Sequence, residues 1–182
     1  MSSVSQTPAR GRSPVARRLM IGMGLVAVIV SVSLAPAGRQ IVAAALHARL
    51  HAPDLTFFAG LPLAIRLHVL GAAGALALGA VLMSLRKGRL FHRAAGWVWV
   101  ALVSLAAGSS LFVTSLNHGK WSLLHLFAGW TLIMLPLAVV WAKRHDVARH
   151  RRTMMGLFYG GFLINAFIAF IPGRAMWTLF FG

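Results

Sequence analysis

Four histidines recur at matched places in this sequence. His68 and His92 are 24 residues apart, His125 and His150 are 25 apart, and the corresponding members of the two pairs are separated by 57 and 58. The first pair brackets the basic turn RKGR and is followed by Gly96; the second brackets KRHDVARH and is followed by Gly156. A helical hairpin used twice produces this pattern. The chain has no cysteine, so disulfides, thiolate nucleophiles and cysteine-held zinc or iron–sulfur centres are excluded, and histidine must carry any metal chemistry.

Other catalytic chemistries find few residues. Asp54 and Asp146 are the only carboxylates, too far apart in sequence to form a local acid–base pair. No nucleotide-binding glycine loop and no nucleophile–base arrangement appears, which argues against a hydrolase. The eight methionines form no repeated Met-x-Met cluster, so copper export has little support. A solute transporter would need intramembrane carboxylates or broken helices beyond Pro136, and Asn165 alone does not supply them.

The elements that must position the histidines are membrane spans. The chain is 59% hydrophobic and 11% charged, against about one quarter charged in soluble domains. Its apolar residues gather into stretches at 19–37, 61–85, 94–116, 121–142 and 153–172, each near the ~20 residues that cross a hydrocarbon core. The expected fold is an all-α integral membrane protein with five transmembrane helices, of which helices two to five form an up-and-down four-helix bundle made of the two repeated hairpins. Residues 1–18, rich in Ser, Pro and Arg, read as a disordered basic tail; 19–37 as a first transmembrane helix or signal anchor; 38–60 as an outer-face connection, with an interfacial helix over 41–50; 61–172 as the four-helix membrane domain; and 173–182 as an outer tail.

Eighteen Lys and Arg oppose the two acids. In a soluble protein this would suggest nucleic acid, but here the cations sit in short loops between apolar spans, where they act as a topology signal. Placing the N-terminus in the cytoplasm puts thirteen of the eighteen inside and leaves Arg39, Arg49, Arg66, Lys120 and Arg174 outside. The compartment expected is a bacterial inner membrane, with the C-terminus outside and the lipid bilayer as the first partner.

In that topology His68 and His125 fall near the outer ends of helices two and four, and His92 and His150 near the inner ends of helices three and five. About 25 Å of helix separates the two levels, so two sites are implied rather than one. Two neutral imidazoles across a bundle diagonal can fill both axial positions of a haem iron, leaving no open site for oxygen and suiting electron transfer. The stripes that carry the histidines are mostly small: Ala72, Ala75 and Gly79 follow His68; Gly96, Val103, Ala106 and Ser110 follow His92; Gly129 and Pro136 follow His125; Gly161 and Asn165 lie near His150. Arg93 and Arg151, each directly after an inner histidine, could pair with haem propionates; the positive-inside rule accounts for them equally well. Any one of the histidines could be an interfacial anchor, and the matched quartet is what favours ligation. His47, His51, His118 and His145 have no such pairing and are expected in loops. Gly71 and Gly74 point to close helix packing, and Trp97, Trp121 and Trp141 to interfacial belts.

With these residues in view, the order His68, His92, His125, His150 resembles the transmembrane di-haem b-type cytochromes that reduce ferric iron or monodehydroascorbate, whose ligands lie on four successive helices paired two with four and three with five. The segments HRAAG (from His92) and HRRTMM (from His150) also look like a widespread bacterial family of predicted multi-pass membrane proteins of unassigned function. The resemblance covers about residues 62–172 and implies two haem b groups; the donor and acceptor of those enzymes do not carry over, and a quinol, a soluble reductant or a respiratory protein is the partner expected of a membrane cytochrome of this kind. The chain departs from the eukaryotic enzymes in lacking a clear sixth helix. The competing expectation is a cofactor-free membrane scaffold, or an assembly or accessory subunit of a respiratory complex, in which histidines and arginines serve topology and contacts with another subunit or a second copy.

Overall fold

The computed structural model describes Gly24 and Val28, both helical, and residues 38–87, 89–114, 121 and 123–181. The expected tail at 1–18, nearly all of the first span at 19–37, and His118 lie outside the described residues. Among those described, the regular secondary structure is all helical, with no strand and only an isolated antiparallel bridge between Leu50 and Phe181.

Two short helices, α1 (Gly38–Leu46) and α2 (Leu55–Gly60), precede the long ones. Asp54 starts α2: its carboxylate accepts from the backbone N–H of Thr56 and of Phe57, both at 2.9 Å, and from the Thr56 hydroxyl, satisfying donors that the first turn leaves orphaned. Then come α3 (Leu63–Ser84), α4 (Leu90–Ser110) and α5 (Leu123–Lys143), of 22, 21 and 21 residues. Each is long and apolar enough to cross a membrane, at 1.5 Å per residue against a core of about 30 Å.

The fourth helical path differs from expectation. It begins at α6 (Val147–Met155), passes through an eight-residue π-helix, π1 (Gly156–Leu163), and ends in α7 (Ile164–Ala169). Asp146 caps its start, accepting from Arg149 N–H at 3.0 Å, so the helix opens six residues before the apolar stretch at 153. The wider π turns shift the hydrogen-bond register, and the Asn165 amide donates to the Gly161 carbonyl at 2.6 Å inside this region. Both carboxylates of the chain therefore serve as helix N-caps.

Neighbours in sequence pack as neighbours in space. Helix α3 packs on α4, α4 on α5, α5 on α6, and π1 returns against both α3 and α5. The side chains between them are small, or large and few: Ala75 and Leu82 of α3, Ala95, Trp99 and Val103 of α4, Leu135 of α5, and Leu157 and Phe158 of π1 form the core. Large apolar side chains point outward, with Leu126 68%, Trp130 59% and Ile133 61% exposed. That inversion of the soluble pattern is what a lipid solvent selects: tails compete equally for large hydrocarbons, and helices associate through small residues and close contact. Gly71 shows the closeness, since a Cβ there would lie 3.1 Å from both Ala106 N and Leu102 O.

Within the expected outer tail, residues 175–180 form a helix. Helix α8 (Ala175–Phe180) packs on α2, His51 N–H donates to Phe180 O at 2.9 Å, and Asp54 N–H donates to Leu179 O at 3.1 Å. Leu50, His51, Asp54 and α2, from the expected connection, thus build one cap with α8 and Phe181.

Candidate functional site

The four histidines all lie in the first two turns of their helices, His68 in α3, His92 in α4, His125 in α5 and His150 in α6, and their environments differ. His68, in the second turn of α3, places Nδ1 2.8 Å from the Ala106 carbonyl of α4. His150, in α6, places Nδ1 2.9 Å from the Ala138 carbonyl of α5. A carbonyl only accepts, so Nδ1 must carry the proton in both, and in the neutral ring Nε2 keeps the lone pair. This is the arrangement by which metal-ligating histidines are oriented: the far nitrogen donates to a backbone oxygen, fixing tautomer and ring plane.

His125 is 7% exposed and stacks on Trp121, with ring centroids 5.6 Å apart and planes within 5°. His92 is half-buried, and its Nδ1 is buried without a hydrogen-bond partner among the described residues. His150 and Lys87 lie near enough to His92 to interact with it electrostatically, so the expected inner pair is within electrostatic reach. Arg93 and Arg151 are both exposed. Among the described residues no three His, Asp or Glu side chains converge on one point.

Along α4, His92, Trp99 and Ala106 are spaced by seven residues, two turns each. Because Ala106 marks the level of His68, the two histidine levels are about 20 Å apart along this helix, with Trp99 about halfway. Trp99 is 4% exposed and donates its indole N–H to Ala75 O at 2.8 Å; its ring lies 6.0 Å from that of Phe162. With Val103, Leu135 and Phe158 it makes a solid apolar layer between the levels.

No family model, curated protein or solved structure matches the chain.

Several stripe residues do a different task from the one expected. Ala75 is fully buried beneath Trp99, and a Cβ on Gly79 would lie 2.5 Å from the Phe158 ring and 2.7 Å from Trp99 Nε1. The small residues following His68 therefore admit neighbouring helices and an indole. By contrast, a Cβ on Gly96, Gly129, Gly156, Gly160 or Gly161 would meet nothing within 4 Å among the described residues. Ser109 and Ser110 return their hydroxyl protons to helix carbonyls. His47, His51 and His145 lie in turns or loops. The seven-residue spacing through Trp99 was the sequence signal for the central layer; nothing in the sequence marks Ala106 or Ala138 as carbonyl acceptors.

Proposed function

We propose that the chain is a transmembrane b-type cytochrome of a bacterial inner membrane, carrying electrons across the bilayer through two haem b groups, one held by His68 with His125 and the other by His92 with His150. The observation that carries this reading is the Nδ1–carbonyl bond of His68 and of His150, one at each level, which leaves Nε2 of each ring as a fixed, unprotonated donor. Held by these four imidazoles, the haems would supply reversible one-electron transfer. Arg93 and Arg151 offer guanidinium groups to propionate carboxylates beside the inner pair. Trp99, Val103, Leu135 and Phe158 exclude water and ions from the layer between the levels, so that charge does not leak with the electron. The chemistry at the two faces suits a quinol, a soluble reductant or a respiratory protein as partner.

The reading takes five spans, with the N-terminus in the cytoplasm and four helical paths forming an up-and-down bundle. It is supported by the pairing of Leu50, His51 and Asp54 with Leu179, Phe180 and Phe181. Segments that meet share one side of a membrane, so the chain crosses an even number of times between Leu63 and Ala169. Three long helices alone would leave the C-terminus on the wrong side, and the path Val147–Ala169 makes the fourth crossing.

A second reading, a cofactor-free scaffold or respiratory accessory subunit, draws on Gly71, Gly74 and Gly79, whose contacts with Leu102, Ala106, Trp99 and Phe158 are explained by packing alone. Haem quantified per purified chain separates the two. Two per chain, falling to one in His68→Ala or in His92→Ala, supports the cytochrome; haem-free protein from haem-sufficient cells supports the scaffold.

A further inference from the structure

The turn joining α3 to α4 and the turn joining α5 to α6 meet at one end of the helices. Lys143, closing α5, lies over the Trp97 ring of α4 at 5.7 Å, and His92 and His150 are in electrostatic reach. This end collects Arg86, Arg89, Arg93, Arg144, Arg151 and Arg152, all exposed. Its one carboxylate, Asp146, is already taken by Arg149, at 3.2 Å through Nε and 3.0 Å through the backbone N–H. The chain's other carboxylate, Asp54, caps α2 at the opposite end. The lysines have partners of their own: Lys87 donates to the Met83 carbonyl at 2.8 Å, completing the end of α3, and Lys143 has Trp97.

The protein thus supplies no counter-charge to six guanidiniums, and beside them it exposes hydrocarbon, with Leu90 82%, Phe91 55% and Trp97 57% exposed. One molecule that meets both demands is an anionic phospholipid, with a phosphate for the planar guanidinium fork and acyl chains for the aromatic face. We propose that Arg86, Arg89, Arg144 and Arg152 form a binding site for the headgroup phosphate of an anionic phospholipid, whose chains lie along the Leu90–Trp97 side of α4. Arg93 and Arg151 are left to the histidine level beside them, and the lipid site stands whether or not the histidines hold a cofactor.

The test is native mass spectrometry of the full chain, released from neutral detergent containing equal amounts of phosphatidylglycerol and phosphatidylcholine. Wild-type protein should retain phosphatidylglycerol about fivefold over phosphatidylcholine or better. The preference should fall to parity in the R86Q/R89Q/R144Q/R152Q protein and weaken as salt rises in the wild type. The R86K/R89K/R144K/R152K protein, which keeps charge without the fork, should lie between. Equal retention of the two lipids by wild-type protein overturns the proposal, as does an unchanged preference in a helical, monodisperse Gln variant. Displacement of the lipid by inorganic phosphate would assign the arginines to free phosphate and overturn it too. If the Gln variant does not fold, the wild-type salt series decides alone: a preference insensitive to salt contradicts a phosphate held by arginine.

Discussion

Trp99 donates its indole N–H to the carbonyl of Ala75 at 2.8 Å, and this bond sits midway between the two histidine levels. Ala75 lies seven residues after His68 on α3, and Trp99 seven after His92 on α4, so the antiparallel pair is pinned at its centre by a side chain that belongs to neither level. The indole fits only because Gly79, one turn further along α3, has no side chain.

Gly79→Ala should therefore be costly and Gly96→Ala should not. The first would press a methyl into Phe158 and the Trp99 nitrogen, a mid-core overpacking worth about 1–3 kcal/mol. The second faces open space and gains helix propensity, about 0.5–1 kcal/mol in favour of the variant. Thermal unfolding of both proteins in one detergent checks the contrast, and equal melting temperatures would contradict the central packing.

The turn after α5 offers a gain of stability. His145 adopts φ +60°, with Asp146 N–H donating to Trp141 O at 2.9 Å and His145 N–H to Ala142 O at 3.2 Å, the paired bonds that end a helix on a left-handed residue. Glycine takes that conformation without the steric cost of a Cβ, so His145→Gly should stabilise the hairpin by about 1 kcal/mol. It should also leave haem content unchanged, since His145 belongs to neither pair. A lower melting temperature would show that the imidazole has a role of its own.

Acid should loosen the cap built from both ends of the membrane domain. The Thr56 hydroxyl, then the Phe57 N–H, hold the Asp54 carboxyl below its ordinary value of 3.8. A depressed folded value means that the ionised group stabilises the cap above the ordinary value, and that this contribution is lost as pH falls through the folded one. Hydrogen exchange of α2 and α8 should rise together under acid and in Asp54→Ala, while Asp54→Asn, which keeps an acceptor, should protect both at low pH. Exchange that rises in α2 alone would separate the two segments.

The same cap tests the number of crossings. The chain has no native cysteine, so Leu50→Cys with Phe181→Cys introduces the only pair, across an antiparallel bridge, where opposed Cα atoms lie about 4.5–5.5 Å apart, within the reach of a disulfide. The pair should oxidise readily in membranes. Singly, both positions should react with an impermeant maleimide from the face opposite to that which labels Arg89→Cys. Labelling of Phe181→Cys and Arg89→Cys from one face would remove the fourth crossing.

Much of the helical scaffold was legible because hydropathy is counted over long windows: the stretches 61–85, 94–116 and 121–142 correspond to α3, α4 and α5. Their ends moved for local reasons. Helix α4 opens at Leu90, because His92 and Arg93 lie within the helix at a polar boundary that an apolar window skips, and α6 opens where Asp146 caps it. The π-helix left only the run YGGF as a hint, since register within a helix depends on packing against α3 and α5. The spacing of small residues on α3 located a face correctly but not its occupant, because a stripe that admits a flat ring also admits Trp99 and Phe158. The pairing of Leu50 with Phe181 joins distant parts of the chain through backbone atoms, and no side-chain pattern announces such a contact.

The most direct measurement is the dithionite-reduced minus oxidised absorption spectrum of protein purified in mild detergent from haem-sufficient cells, recorded for the wild type and for the four single His→Ala variants. The account predicts two b-type contributions in the wild type, with one and the same contribution lost in His68→Ala and His125→Ala, and the other in His92→Ala and His150→Ala. A featureless wild-type spectrum, or losses that pair the histidines differently, would contradict it.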